Sequence, residues 1–185
     1  MARNFLIWPV LLALLAGCTG TPVKPGNGEV TLDQHLPLRI AVDMSPEDLA
    51  LMTHHFYNIR AYYETYHWTA EGKLVRRAAL TAFAPLVEQV LPREEMPAPD
   101  VIIRVSGRSV YNPMRQGWYV DVTATGYLPS GEEIASFKAS SQVGSVVVFY
   151  EQALESTYVA AFQETGRKFL NSGALTVAAR QHTSN

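Results

Sequence analysis

The single thiol of the chain, Cys18, directly follows Leu15, Ala16 and Gly17. Small Ala16 and Gly17 leave the backbone open to a peptidase, and the Cys18 thiol can form a thioether. One cysteine cannot make an intramolecular disulfide, and packing does not explain a lone cysteine placed after Ala-Gly. The other chemically active groups are scattered. The histidines are His35, His54, His55, His67 and His182. His54 and His55 are adjacent, so on a helix they would point about 100° apart and could not chelate one ion together. They read as surface histidines, and no metal or cofactor is expected. A Gly-x-Ser-x-Gly nucleophile turn is absent, and Gly144-Ser145 suggests only a helix start. The acid pairs Glu94-Glu95 and Glu132-Glu133 sit among loop residues, where solvation accounts for them. The expectation is a protein that is not an enzyme.

Recognition chemistry is better represented. Arg104 and Arg108 fall on one face of a strand expected over 100–108, with Arg115 in the following loop. Together they could meet an anionic lipid headgroup or polysaccharide; a merely solvent-facing strand would look the same. The run from Tyr111 to Trp118 combines Tyr, Met, Arg and Trp, the types enriched at interfaces. Tyr62, Tyr63, Tyr66 and Trp68 form a second aromatic group. Core packing is the competing explanation for both aromatic sets.

These residues need elements to position them. Leu38, Ile40 and Val42 alternate with Arg39, Ala41 and Asp43, the period of a half-buried strand. Ser45-Pro46-Glu47-Asp48 offers a cap, a first-turn proline and early acids. It predicts a short helix through about Met52 or Tyr57. Residues 62–68 suit a strand, although a longer helix over 46–64 fits as well. From Gly72 to Val90 an apolar stripe predicts an amphipathic helix, with Pro85 able to kink it or end it early. Strands are expected over 100–105, 117–127 and 134–139, the last two joined at Pro129-Ser130-Gly131. A final helix covers about 147–170, and the tail at 172–185 is expected to fray. The fold class that follows is α+β: an antiparallel or mixed sheet of four to five strands with two main helices on one face.

The first residues set the context. Met1-Ala2-Arg3-Asn4 carries one positive charge and no acid, and an apolar stretch runs from Phe5 to Leu14. That stretch is short of the roughly 20 residues that span a bilayer, and reads as an export signal. Leu15-Ala16-Gly17-Cys18 resembles the lipobox of bacterial lipoproteins. The resemblance implies cleavage before Cys18 and a diacylglyceryl group on its sulfur, and thus lipid anchoring. Thr19 stands where an aspartate retains many such proteins at the inner membrane, so the resemblance implies the outer membrane, facing the periplasm. The organisation is then a signal peptide (1–17), a lipidated Gly/Pro-rich tether (18–36), one α+β domain (37–171) and the tail. Without residues 1–17 the chain keeps 14 basic and 17 acidic side chains, which does not suit a nucleic-acid binder.

Pro37 to Val42, Trp68-Thr69-Ala70-Glu71-Gly72 leading into the helix, and Ala98-Pro99-Asp100-Val101-Ile102 loosely resemble small envelope lipoproteins. These are the YajG-like lipoproteins, the auxiliary lipoproteins of ABC-type transporters, and the partner lipoprotein of lipopolysaccharide transport. The resemblance implies a non-catalytic accessory or scaffold role with an envelope protein as partner, and leaves self-association open. The alternative expectation is a carrier holding a small apolar or lipid ligand between sheet and helices.

Overall fold

A computed structural model of the chain describes residues 35–59, 63–112, 117–143 and 150–183, all within one unit, Thr31–Asn185. Cys18, the expected signal segment, most of the tether and Arg115 lie outside the described residues.

Strand β1, Leu36–Asp43, follows the alternation of its sequence: Leu38, Ile40 and Val42 are buried on one face. Ser45 caps the next element, its hydroxyl accepting the Asp48 N–H at 3.0 Å. That helix, α1, is a single turn, Pro46–Leu49, shorter than the sequence predicts. The chain turns instead into an antiparallel ribbon, β2 (Thr53–Ile59) and β3 (Tyr63–Thr69), in register from Thr53–Thr69 to Ile59–Tyr63. Threonine, tyrosine, phenylalanine, tryptophan and isoleucine dominate both segments, and these residues suit a pleated surface better than a helix. Among the described residues the ribbon strands contact chiefly each other.

Helix α2, Glu71–Phe83, buries Leu74, Val75, Ala78, Ala79, Ala82 and Phe83. The predicted extension to Val90 is corrected. Pro85 lies in a 3₁₀ turn, Ala84–Leu86, because its ring removes a helical N–H and crowds the preceding turn. The chain beyond becomes strand β4, Val87–Pro92. β4 is an edge strand, where the missing N–H of Pro92 is tolerated. Strands β5 (Val101–Asn112), β6 (Gly117–Tyr127) and β7 (Glu133–Val143) complete a sheet of order β4-β1-β5-β6-β7. β1 is parallel to β4 and β5, while β5, β6 and β7 form an antiparallel meander. The sheet is therefore mixed, within the expected class.

The connection from β4 to β5 must recross β1, which lies between them. Ala41 and Met96 are buried there outside the main core, and Arg39 and Asp100 staple the crossing. The Arg39 N–H donates to Asp100 Oδ2, and the Asp100 N–H to the Arg39 carbonyl, both at 2.8 Å.

Helices α2 and α3 (Tyr150–Asn171) cover one face of the sheet. Leu154, Tyr158, Ala161, Phe162 and Phe169 of α3 are fully buried, a helical spacing that meets the inward rows Ile103–Val105 and Val120–Val122–Ala124. The layers approach closely. A Cβ at Gly107 would lie 2.9 Å from Tyr158 Cε1, and one at Gly126 would lie 3.0 Å from Phe169 Cε1. The tail expected to fray instead forms helix α4, Ala174–Thr183. Leu175, Ala178 and Ala179 bury its apolar side in the core, and that burial holds the tail in place. Among the described residues no helix is long and apolar enough to cross a membrane.

Candidate functional site

The sheet face opposite α2 and α3 is polar. On β5 it carries Arg104, Ser106 and Arg108, on β6 Asp121, Thr123 and Thr125, and on β7 Ser136, Lys138 and Ser140. Strand alternation puts them there, because their neighbours Val105, Gly107, Val122, Ala124 and Ala139 face the core.

Both arginines singled out from the sequence lie on this face, and both are engaged. Arg104 Nε pairs with Asp43 Oδ2 at 3.1 Å, and its guanidinium carbon lies 5.4 Å from the Tyr127 ring centroid. Arg108 Nη2 pairs with Asp48 Oδ1 at 2.8 Å, and Nη1 donates to the Gly107 carbonyl at 2.7 Å. Burial pulls the Asp48 carboxyl upward, but hydrogen bonds from Arg108 and Ser45 outweigh it and hold it below the usual carboxylate range. Asp43 ends β1 and Asp48 belongs to α1, so each arginine is neutralised by a residue some 60 positions earlier in the chain. With Lys138 and Asp121 added, the cations and carboxylates balance. The face is not the basic surface that the arginines alone suggest.

Between the Arg108–Asp48 pair and Lys138 runs a groove of about 550 Å³ across β5, β6 and β7. Ser106, Asp121, Thr123 and Ser140 line it as well. The Ser140 hydroxyl donates to Asp121 Oδ1.

The predicted binding aromatics lie elsewhere. Tyr111 and Trp118 are register partners of β5 and β6, with ring centroids 5.0 Å apart. They sit on the helix-covered face: Trp118 is 5% exposed, and Tyr111 packs against the core. The set Arg104, Arg108, Tyr111, Trp118 is thus split between the two sides of the sheet, with Arg115 outside the described residues. His54 stacks on Trp68 across the base of the ribbon, ring centroids 4.6 Å apart. Trp68 is 65% exposed. Glu94 pairs with Arg76 at the surface. Among the described residues no three acidic, histidine or cysteine side chains are placed to hold a metal ion.

One polar centre escaped the sequence reading. Glu71, the first residue of α2, is 1% exposed. It accepts hydrogen bonds from the Tyr158 hydroxyl of α3 and the Thr53 hydroxyl at the start of β2. Burial, reinforced by the Glu71 carboxylate, pushes the Tyr158 hydroxyl far above the usual phenol range. The three side chains fasten the base of the ribbon to both main helices. An acid in the first turn of a helix ordinarily complements the helix dipole in solvent, so nothing local in the sequence marks Glu71 as buried.

No protein-family model matches the chain, and no curated protein sequence matches it. Among solved structures, protein XCC0632 of Xanthomonas campestris, described as a DUF330 protein, aligns with a TM-score of 0.51 at 10% identity, covering 82% of this chain and 91% of that one. A Caulobacter crescentus protein classed provisionally as a lipoprotein aligns with a TM-score of 0.34 at 17% identity, covering 58% and 83%. The first likeness shows a shared fold; the second is too distant in shape to support more.

Proposed function

We propose that the protein is a lipoprotein anchored through Cys18 to the outer membrane and facing the periplasm. There it serves as a non-catalytic accessory or scaffold subunit in envelope assembly or transport. The observation that carries this reading is the Leu15-Ala16-Gly17-Cys18 motif, placed 18 residues ahead of the first strand at Leu36. A separation of that length would keep the domain within reach of the bilayer. The tether joins β1 at Leu36, whereas α1 and the ribbon follow its other end at Asp43. A strand of eight residues separates those ends by about 23 Å. The ribbon therefore lies toward the far end from the point of attachment, where a partner in the periplasm would meet it and the open polar face.

Among the described residues the carrier alternative draws no support from the packing. Fully buried Phe83, Phe162 and Phe169 fill the space between sheet and helices, and Gly107 and Gly126 there leave no room for one extra methyl group.

The test is made in intact cells. A photo-crosslinker at position 104 or 68 should capture one abundant envelope protein, while one at buried position 122 should not. An alkyne fatty acid should label the protein, and Cys18→Ser should abolish that labelling. Retained labelling in the Cys18→Ser variant would remove the anchor, and capture of bulk lipid alone from positions 104 and 68 would remove the docking role.

A further inference from the structure

We propose that the groove on the open face binds a zwitterion composed of a primary ammonium and a phosphate, the chemistry of a phosphoethanolamine headgroup. The proposal stands whether or not Cys18 carries lipid.

Register arranges the groove in two rows across three strands. Arg108, Asp121 and Ser140 form one row; Ser106, Thr123 and Lys138 form the next. Four charges line it, and two are already used on each other, since Arg108 and Asp48 pair at 2.8 Å. The remaining two are not. Asp121 has Ser140 as its hydrogen-bond donor and no cation within ion-pair distance, and Lys138 has no carboxylate within that distance, among the described residues. They occupy diagonal positions on neighbouring strands, about 7–8 Å apart with Cβ atoms somewhat closer. The site thus presents an acceptor and a donor of opposite charge, neither held in an ion pair among the described residues, with hydroxyls beside both.

Other ligand classes fit less well. A polyanion would meet Asp48 and Asp121, and a metal cation would meet Arg108 and Lys138. A sugar ring wants an aromatic platform, and no aromatic side chain lines the groove. An α-amino acid holds its charges on one carbon. Gripping both would draw Asp121 and Lys138 close enough to pair with each other instead. A headgroup with its ammonium and phosphate separated by two carbons and an ester oxygen places its ammonium on Asp121 and Ser140 and its phosphate on Lys138. Arg108 then flanks it, already neutralised. A volume of about 550 Å³ is within the range of small-ligand sites.

Calorimetry on the full chain in dodecyl maltoside, whose head is uncharged, tests this with glycerophosphoethanolamine as the probe. Saturable binding is expected. Glycerol phosphate, ethanolamine and glycerophosphocholine, the last lacking N–H donors, should each bind about tenfold more weakly or worse. Asp121→Asn and Lys138→Gln, both on an exposed face, should each cause a similar loss with unchanged circular dichroism. Competing vesicles separate the sources of the headgroup. Displacement by phosphatidylethanolamine in phosphatidylcholine, and not by phosphatidylcholine alone, assigns a membrane lipid; displacement by neither assigns a soluble ligand. Absence of saturable binding, equal binding of either half-molecule, or full affinity in both variants would overturn the proposal.

Discussion

Replacing Tyr158 with phenylalanine removes one oxygen from the middle of the protein and tests how the ribbon is held. Tyr158 is fully buried, and its hydroxyl donates to Glu71. The phenyl ring keeps its close approach to Gly107 and its place in the core, so little packing is lost. What changes is that one oxygen of a buried carboxyl loses its donor, leaving Thr53 as the remaining hydroxyl partner. Leaving a buried acceptor unsatisfied costs about 1–3 kcal/mol. With a urea dependence of about 2 kcal/mol/M for a domain of this size, a loss of 2 kcal/mol lowers the unfolding midpoint by about 1 M. If the loss runs through Glu71, Tyr158→Phe should cost clearly less in a Glu71→Gln background. The pH dependence supplies a second reading. The folded value of Tyr158 lies above its unfolded value of about 10, so its contribution is complete below that pH and is lost as pH rises beyond it. The gap between wild type and variant should therefore narrow above about pH 10. A midpoint shift under about 0.2 M, or an identical loss in both backgrounds, would refute the assignment of this centre as a stabilising link.

Three further expectations use the same measurements. Leu175→Ala should cost about 2–5 kcal/mol, because Leu175 is fully buried; a shift below about 0.5 kcal/mol would mean that α4 does not dock. Gly72→Ala should destabilise by about 2 kcal/mol or more despite the better helix propensity of alanine. Its Cβ would fall 2.1 Å from the Asp48 carbonyl oxygen and 2.4 Å from that of Leu49, and an unchanged melt would place α1 elsewhere. Asp48→Asn should cost about 0.5–1 kcal/mol at neutral pH. The folded Asp48 carboxyl lies below its unfolded value of about 3.9, so its contribution is present above that pH and lost as pH falls through the folded value. Thermal melts of wild type and variant should then converge as pH falls below the usual carboxylate range, and a gap that persists in strong acid would count against the Arg108 pair.

Short-range chemistry determined much of this molecule. The alternation of Leu38, Ile40 and Val42 specified β1, and Ser45-Pro46 specified the start of α1. The turn at Pro129-Ser130-Gly131 is carried by Gly131 at φ 90°, a conformation glycine adopts without a Cβ clash. The two long helices and the α+β class followed from periodicity and element order, as did the choice of which side of β5 carries Arg104 and Arg108, whereas antiparallel and mixed pairing both stayed open until β1 paired in parallel with β4 and β5.

The tertiary structure decided what local pattern leaves open. Pro85 was visible in the sequence as a breaker, but only an open edge beside β1 makes a strand of Val87–Pro92. The tail became α4 because Leu175 and Ala178 found the core, an energy absent from the isolated segment. The ribbon emerged where a helix also fitted, since pairing across Thr53–Thr69 and Ile59–Tyr63 is a long-range choice. The charge balance of the candidate site was hidden for the same reason. Arg104 and Arg108 read as free cations until folding brought Asp43 and Asp48 across some 60 residues to meet them. Electrostatic pairing depends on distance in space, and a sequence records only distance along the chain.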